Sequence, residues 1–179
     1  MKQFFTQKLK GIHIGIAAVL TLIMLGIMDI VTLPAIANAA GGIPAFDLQT
    51  FGYSKETAMQ FLQALSADGR ALFLHVQLPL DFAFAFVYTF LFLALFYRLH
   101  PLGSKLIFLP VLLFVLDLAE NTRSVLFLKL DTIPDALFTL GSCVTLAKNA
   151  CTLACGILII VFLILWFKNR KKQKSEAKK

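Results

Sequence analysis

IHIGIAAVLTLIMLGIMDIVTL, residues 12–33, is the stretch from which the rest of the chain can be read. A helix needs about 20 mainly apolar residues to cross the hydrocarbon core of a bilayer, and this run supplies them. Lysines precede it and Pro34 ends it. Runs of the same kind recur at 71–97, 105–128 and 137–167. The expected fold is an all-α integral membrane four-helix bundle, one domain over 1–179. Between the first two spans lies an outer loop, 34–70, and after the last a basic tail, 168–179.

Composition points the same way. The chain is 59% hydrophobic and only 15% charged, against about 25% charged in a soluble domain. The net charge of +7 is confined to the ends. Lys2, Lys8 and Lys10 precede the first run, and Lys168, Arg170, Lys171, Lys172, Lys174, Lys178 and Lys179 follow the last, with Glu176 the one acid among them. The remainder is slightly acidic, which argues against nucleic acid as a partner. Cations flanking apolar spans mark the cytoplasmic side and attract anionic headgroups. Both termini are therefore expected in the cytoplasm, which requires an even number of spans and puts the turn carrying Arg98 and Lys105 inside too.

A second reading of the first run is a signal peptide cleaved after Ala37-Asn38-Ala39. The run is longer than the usual apolar core of such peptides and is interrupted by Asp29, so it is expected to stay as a span. Pro79 and Pro110 fall inside later runs, where proline removes a backbone hydrogen bond and tends to kink a helix. The last run exceeds one bilayer thickness, so its first turns are expected to project into the interface or to form a separate helix.

In the outer loop Gly41-Gly42 and Pro44 mark a turn. Ser54 is a suitable N-cap for a short helix, whose apolar stripe is Ala58, Phe61, Leu62 and Leu65 and whose stop is Asp68-Gly69. Such a helix could lie on the bilayer surface as a lid, or pack on the outer ends of the spans. The narrow stripe favours packing.

The ionisable residues inside the runs carry most of the functional information, because a charge at the centre of a span costs about 2.5–3.5 kcal/mol on insertion scales. They are Asp29, Asp81, Asp117, Glu120 and Lys148, accompanied by Asn121 and Asn149. At 1.5 Å per residue, Asp81 lies about 24 Å, Glu120 about 22 Å and Lys148 about 28 Å from the cytoplasmic side. All of them thus fall in the outer half of the membrane. Asp117, Glu120, Asn121 and Ser124 follow an i, i+3, i+4, i+7 spacing and share one helix face. On an unbroken second span, Arg70, Gln77, Asp81 and Tyr88 would share another. The expectation is a polar pocket open to the outside, formed from Asp29, Arg70, Gln77, Asp81, Asp117, Glu120, Asn121, Arg123 and Lys148, with the carboxylates paired to Lys148, Arg70 or Arg123.

Other groups read as structural. Ala147, Cys151 and Cys155 form a row of small residues suited to close helix contact, and three cysteines in one apolar stretch are no disulfide framework. His13, His75 and His100 lie at different places along the chain and do not pair as haem ligands. No metal or cofactor is expected. Asp68-Gly69-Arg70 followed by Asp81 lacks the second paired-aspartate motif and the spacing of a CDP-alcohol phosphotransferase.

Phe51-Gly52-Tyr53-Ser54-Lys55-Glu56, Gly69-Arg70, Asp81 and Asp117-Leu118-Ala119-Glu120-Asn121, taken together, resemble a pattern found in small four-span bacterial membrane proteins. The likeness spans the outer loop to the fourth run. It implies a bacterial inner-membrane location and brings no activity with it.

Three functions are compatible with these residues. The first is binding of a small molecule, lipid headgroup or ion in the outward-facing pocket, as a homo-oligomer if the chain is a carrier. The second is an enzyme acting on a lipid or isoprenoid, with Asp81, Asp117 or Glu120 as acid or base. The third is a structural or assembly role in which the polar cluster fixes packing.

Overall fold

The computed structural model describes residues 9–176. Lys2, Lys8, the Lys174 side chain, Lys178 and Lys179 lie outside that description. Among the described residues the chain is all-helical, with five helices: α1 (Gly11–Ala39), α2 (Lys55–Ala64), α3 (Ala67–Leu99), α4 (Phe108–Lys129) and α5 (Asp135–Glu176). Short 3-10 turns at Phe46–Leu48 and Pro101–Lys105 complete the order. Three helices, α1, α3 and α5, are long and apolar enough to cross a membrane, as in a membrane-embedded protein.

The apolar run ends at Pro34, yet α1 continues to Ala39. The reason is a π turn at Met28–Thr32, and α3 carries a matching one at Phe73–Gln77 ahead of Pro79. In a regular helix a proline ring collides with the carbonyl four residues earlier. For Pro34 and Pro79 those carbonyls belong to Ile30 and His75, each in the middle of a π turn. The wider turn moves the carbonyl aside and lets the helix run on. The two π turns lie side by side, and the Thr32 hydroxyl donates to Gln77 Oε1. Pro110 falls in the first turn of α4, where its missing N–H costs nothing. The last apolar run forms no separate helix: α5 is continuous for 42 residues.

Helices α3, α4 and α5 pack on one another, and α1 packs mainly on α3. Ala85, Phe96, Leu113, Cys151, Cys155 and Phe162 form one core. Cys151 and Cys155 belong to this contact, but Ala147 lies on the exposed side of α5, so the small-residue row is two cysteines only. The second core joins the 40–65 segment to one end of the helices, with Ile36, Phe46, Phe61, Phe73, Phe127 and Phe138 buried together. Phe46 meets Phe61 and Phe127 edge-on at 5.3 Å.

Ser54 caps α2 by accepting from Thr57 N at 3.1 Å. Ala58, Phe61 and Leu62 face the second core, so α2 packs onto the helix ends and does not offer its stripe to a bilayer. Asp68-Gly69 is not a stop. Ser66 accepts from Gly69 N at 3.1 Å and opens α3, placing Asp68 in its favourable first turn. Gly69 is required there because a Cβ would sit 2.5 Å from that of Ala39, where α1 and α3 come together.

Candidate functional site

Four residues of α4, Asp117, Glu120, Asn121 and Ser124, are buried on the face that their spacing defines. Each needs a partner, since an unpaired buried charge or polar group is costly. Lys148 of α5 provides the central one. Its ammonium contacts a Glu120 carboxylate oxygen and lies 3.4 Å from Asp117 Oδ1. The other Glu120 oxygen accepts from the Thr145 hydroxyl, with Arg123 Nη2 at 3.7 Å. Tyr88 of α3 donates to Asp117 Oδ2 at 2.9 Å. One ionic network thus links α3, α4 and α5.

Arg123 extends the network into the 40–54 segment. Its guanidinium donates to the Tyr53 hydroxyl and lies over the rings of Phe46, Tyr53 and Phe127, at 4.6, 5.2 and 5.3 Å from their centroids. A desolvated guanidinium is well held by such faces. Around it Ser142 Oγ accepts from Tyr53 N at 2.9 Å, Asn149 Nδ2 donates to Thr50 O at 3.0 Å, and Lys55 pairs with Asp135 at 2.6 Å. Gly141 is the residue on α5 that lets Tyr53 and the Arg123 stem approach, for a Cβ there would overlap both.

Beside this network is a cleft of about 360 Å³. Thr21 and Leu25 of α1 form one bank and Lys148, Asn149 and Thr152 of α5 the other. The floor is Asp81, Phe84, Tyr88 and Phe92 of α3 with Leu113 and Asp117 of α4. The banks have no extended packing against each other, so the cleft is open between α1 and α5. Its volume is at the lower end of the range for small-molecule sites, about 300–1,000 Å³.

The structure therefore brings Asp81, Asp117 and Lys148 to one cleft, with Glu120 and Arg123 directly behind. Gln77 joins from the π turn, its Nε2 donating to Asp81 Oδ2 at 3.2 Å. Three of the sequence candidates stand apart. Arg70 pairs with no carboxylate of the group: the π turn breaks the register that aligned it with Asp81, and its guanidinium donates instead to Leu128 O at 2.8 Å and Leu62 O at 3.3 Å. Asp29 lines a separate shallow hollow with Leu33, Pro34 and Leu48. Asn121 is buried, and its Nδ2 has no hydrogen-bond partner. Thr145, which helical spacing puts on one face of α5 with Lys148, Thr152 and Cys155, joins the group through Glu120. Phe46 and Tyr53 carry no periodic signal, because an irregular segment brings them in.

Chemically, the cleft offers carboxylate acceptors, an ammonium already engaged by two carboxylates, a phenol and a wall of rings. Among the described residues no three His, Cys, Asp or Glu side chains gather as a metal ion would need. Comparison of the chain with family models, with curated proteins and with solved structures finds no match.

Proposed function

We propose that the chain is a four-span membrane protein that binds a small molecule, a lipid headgroup or an ion in the cleft beside Lys148, which faces the outer half of the membrane. The observation that carries this reading is the cleft itself: about 360 Å³, with Asp81, Asp117 and Lys148 in its lining. Packing alone would not call for a hollow next to three ionisable groups. The fourth span is α4. It has 22 residues, about 33 Å of helix, and its buried charges are neutralised by Lys148 and by each other rather than exposed to lipid. Four spans put both basic ends in the cytoplasm, against anionic headgroups of a bacterial inner membrane. The bare apolar face of α1, including Ile12, Ile16, Val19 and Ile23, suits lipid or a second copy of the chain.

The test is accessibility. Thr152→Cys is made in a chain whose own Cys143, Cys151 and Cys155 are replaced by alanine, and intact cells are treated with a membrane-impermeant methanethiosulfonate carrying an ammonium group. Labelling is expected from the outer side, and Leu158→Cys, partly buried against the core of α3, α4 and α5, is expected to stay unlabelled. A folded Thr152→Cys variant that reacts only after denaturation would overturn the reading. A packing role also has an observation in its favour, because every Glu120 oxygen is engaged. On that role, Asp81→Asn and Asp117→Asn would lower stability and change nothing else.

A further inference from the structure

The geometry points to an organic cation with an apolar body, an alkylammonium in its simplest form, as the occupant of the cleft. This deepens the proposed binding role and rests on it. Charge is the first argument. The lining holds Asp81 of α3, Asp117 of α4 and Lys148 of α5, and α1 contributes only Thr21 and Leu25. The lining thus presents two carboxylates and one ammonium. An anionic ligand would meet two carboxylates at the lining, and the lysine ammonium that could oppose them is already shared between Asp117 and Glu120.

The second argument is the wall. Phe84, Tyr88 and Phe92 stand at i, i+4 and i+8 on α3 and all line the cleft. Their rings follow one another at centroid distances of 5.1 and 5.6 Å, a continuous ladder. Aromatic faces next to carboxylates are the standard recognition chemistry for alkylated ammonium groups, which carry positive charge but form few hydrogen bonds. The third argument is the opening. With no extended packing between α1 and α5, and Leu25 and Leu113 in the lining, an apolar body can extend between the banks towards the acyl chains while the charged end stays with Asp81 and Asp117.

The chemistry could come from a free amphiphilic amine or from the amine headgroup of a lipid, and the experiment separates them. The full chain is placed in phosphatidylglycerol nanodiscs and titrated with three probes of one chain length: decyltrimethylammonium, decanol and decanesulfonate. Saturable binding of the ammonium is expected, at least tenfold tighter than decanol, with no saturable binding of the sulfonate. Asp81→Asn and Phe84→Leu are each expected to weaken the ammonium at least tenfold and to leave decanol unchanged. Both variants are checked for an unaltered melting profile, and Tyr88→Phe, which keeps the ring, is expected to keep most of the affinity. Repeating the titration in discs rich in phosphatidylethanolamine supports the headgroup source if affinity drops by competition, and the free-amine source if it does not. Equal binding of all three probes would overturn the cation assignment while leaving the binding role intact. Absence of saturable binding by any probe, together with a Thr152→Cys variant that stays unlabelled in the accessibility test, would overturn both.

Discussion

Lys148 is the residue on which the ionic network turns, since Asp117 and Glu120 both depend on it. Removing one partner of a buried pair strands the other charge, at about 3–5 kcal/mol. Lys148→Met is expected to lower the melting temperature in detergent strongly, and the double variant Lys148→Met, Glu120→Gln to recover part of the loss; thermal unfolding of the four-member cycle measures it. A double variant no more stable than the single would mean that Glu120 and Lys148 are not coupled. Arg123→Lys keeps the charge but gives up the planar fork against Phe46, Tyr53 and Phe127. The expected cost is about 1–2 kcal/mol, read as faster protease cleavage within 40–54. At this scale the α4 face was legible, because helical spacing alone collects Asp117, Glu120, Asn121 and Ser124. The aromatic seat of Arg123 was not. Phe46 and Tyr53 reach it through tertiary folding of an irregular segment, for which the sequence has no period.

The elements that depart from simple reading are the ones that contain proline. Spacing rules assume a regular helix, and π turns at Met28–Thr32 and Phe73–Gln77 shift the register by about one residue. That shift explains why Arg70 turns away from Asp81 and why α1 survives Pro34. Pro79→Ala would restore the missing N–H and favour a regular α3, pulling Gln77 away from Thr32 and Asp81. The expected outcome is a protein that remains helical by circular dichroism but loses amide-exchange protection around 28–32, where the paired π turn has lost its neighbour. Gly141→Ala tests the contact between α5 and the 51–54 stretch. Its methyl group would overlap the Tyr53 hydroxyl and the Arg123 stem, an overpacking worth about 1–3 kcal/mol, with release of that stretch as the visible sign. Outside the long apolar helices, the Glu56 carboxyl is held below its usual range by its own backbone N–H and by Ser54 at the start of α2. Its support for α2 is thus present at neutral pH and lost as the pH falls through that lowered value; Glu56→Gln should flatten any acid-side change in proteolysis of this segment.

At the scale of the whole molecule, the membrane character was legible from composition and run length, with three of the four apolar runs forming helices long and apolar enough to cross a membrane, and the helical ends were not, because capping by Ser66 and the π turns override hydropathy. A fluorescent protein on the C-terminus is expected to light up in the cytoplasm, and an exported phosphatase inserted near Gln49 is expected to be active; the reverse pattern would sink the proposed orientation, and both reporters on one side would sink the four-span topology. Length adds a further expectation. Over 42 residues, α5 reaches about 63 Å, roughly twice the hydrocarbon thickness of about 30 Å, so its basic end stands well clear of the bilayer.

The gap between α1 and α5 also bears on how strongly any occupant would be held. A ligand that enters through that gap is drawn from the oil, not from the water, and its working concentration is set by how it partitions. Apparent affinity measured against the aqueous dose should then change with the amount of lipid in the sample, while occupancy at a fixed mole fraction in the bilayer stays constant. Two ligands of identical fit would be ranked by their solubility in acyl chains, and a weak site could remain filled in the cell simply because its reservoir is the membrane around it.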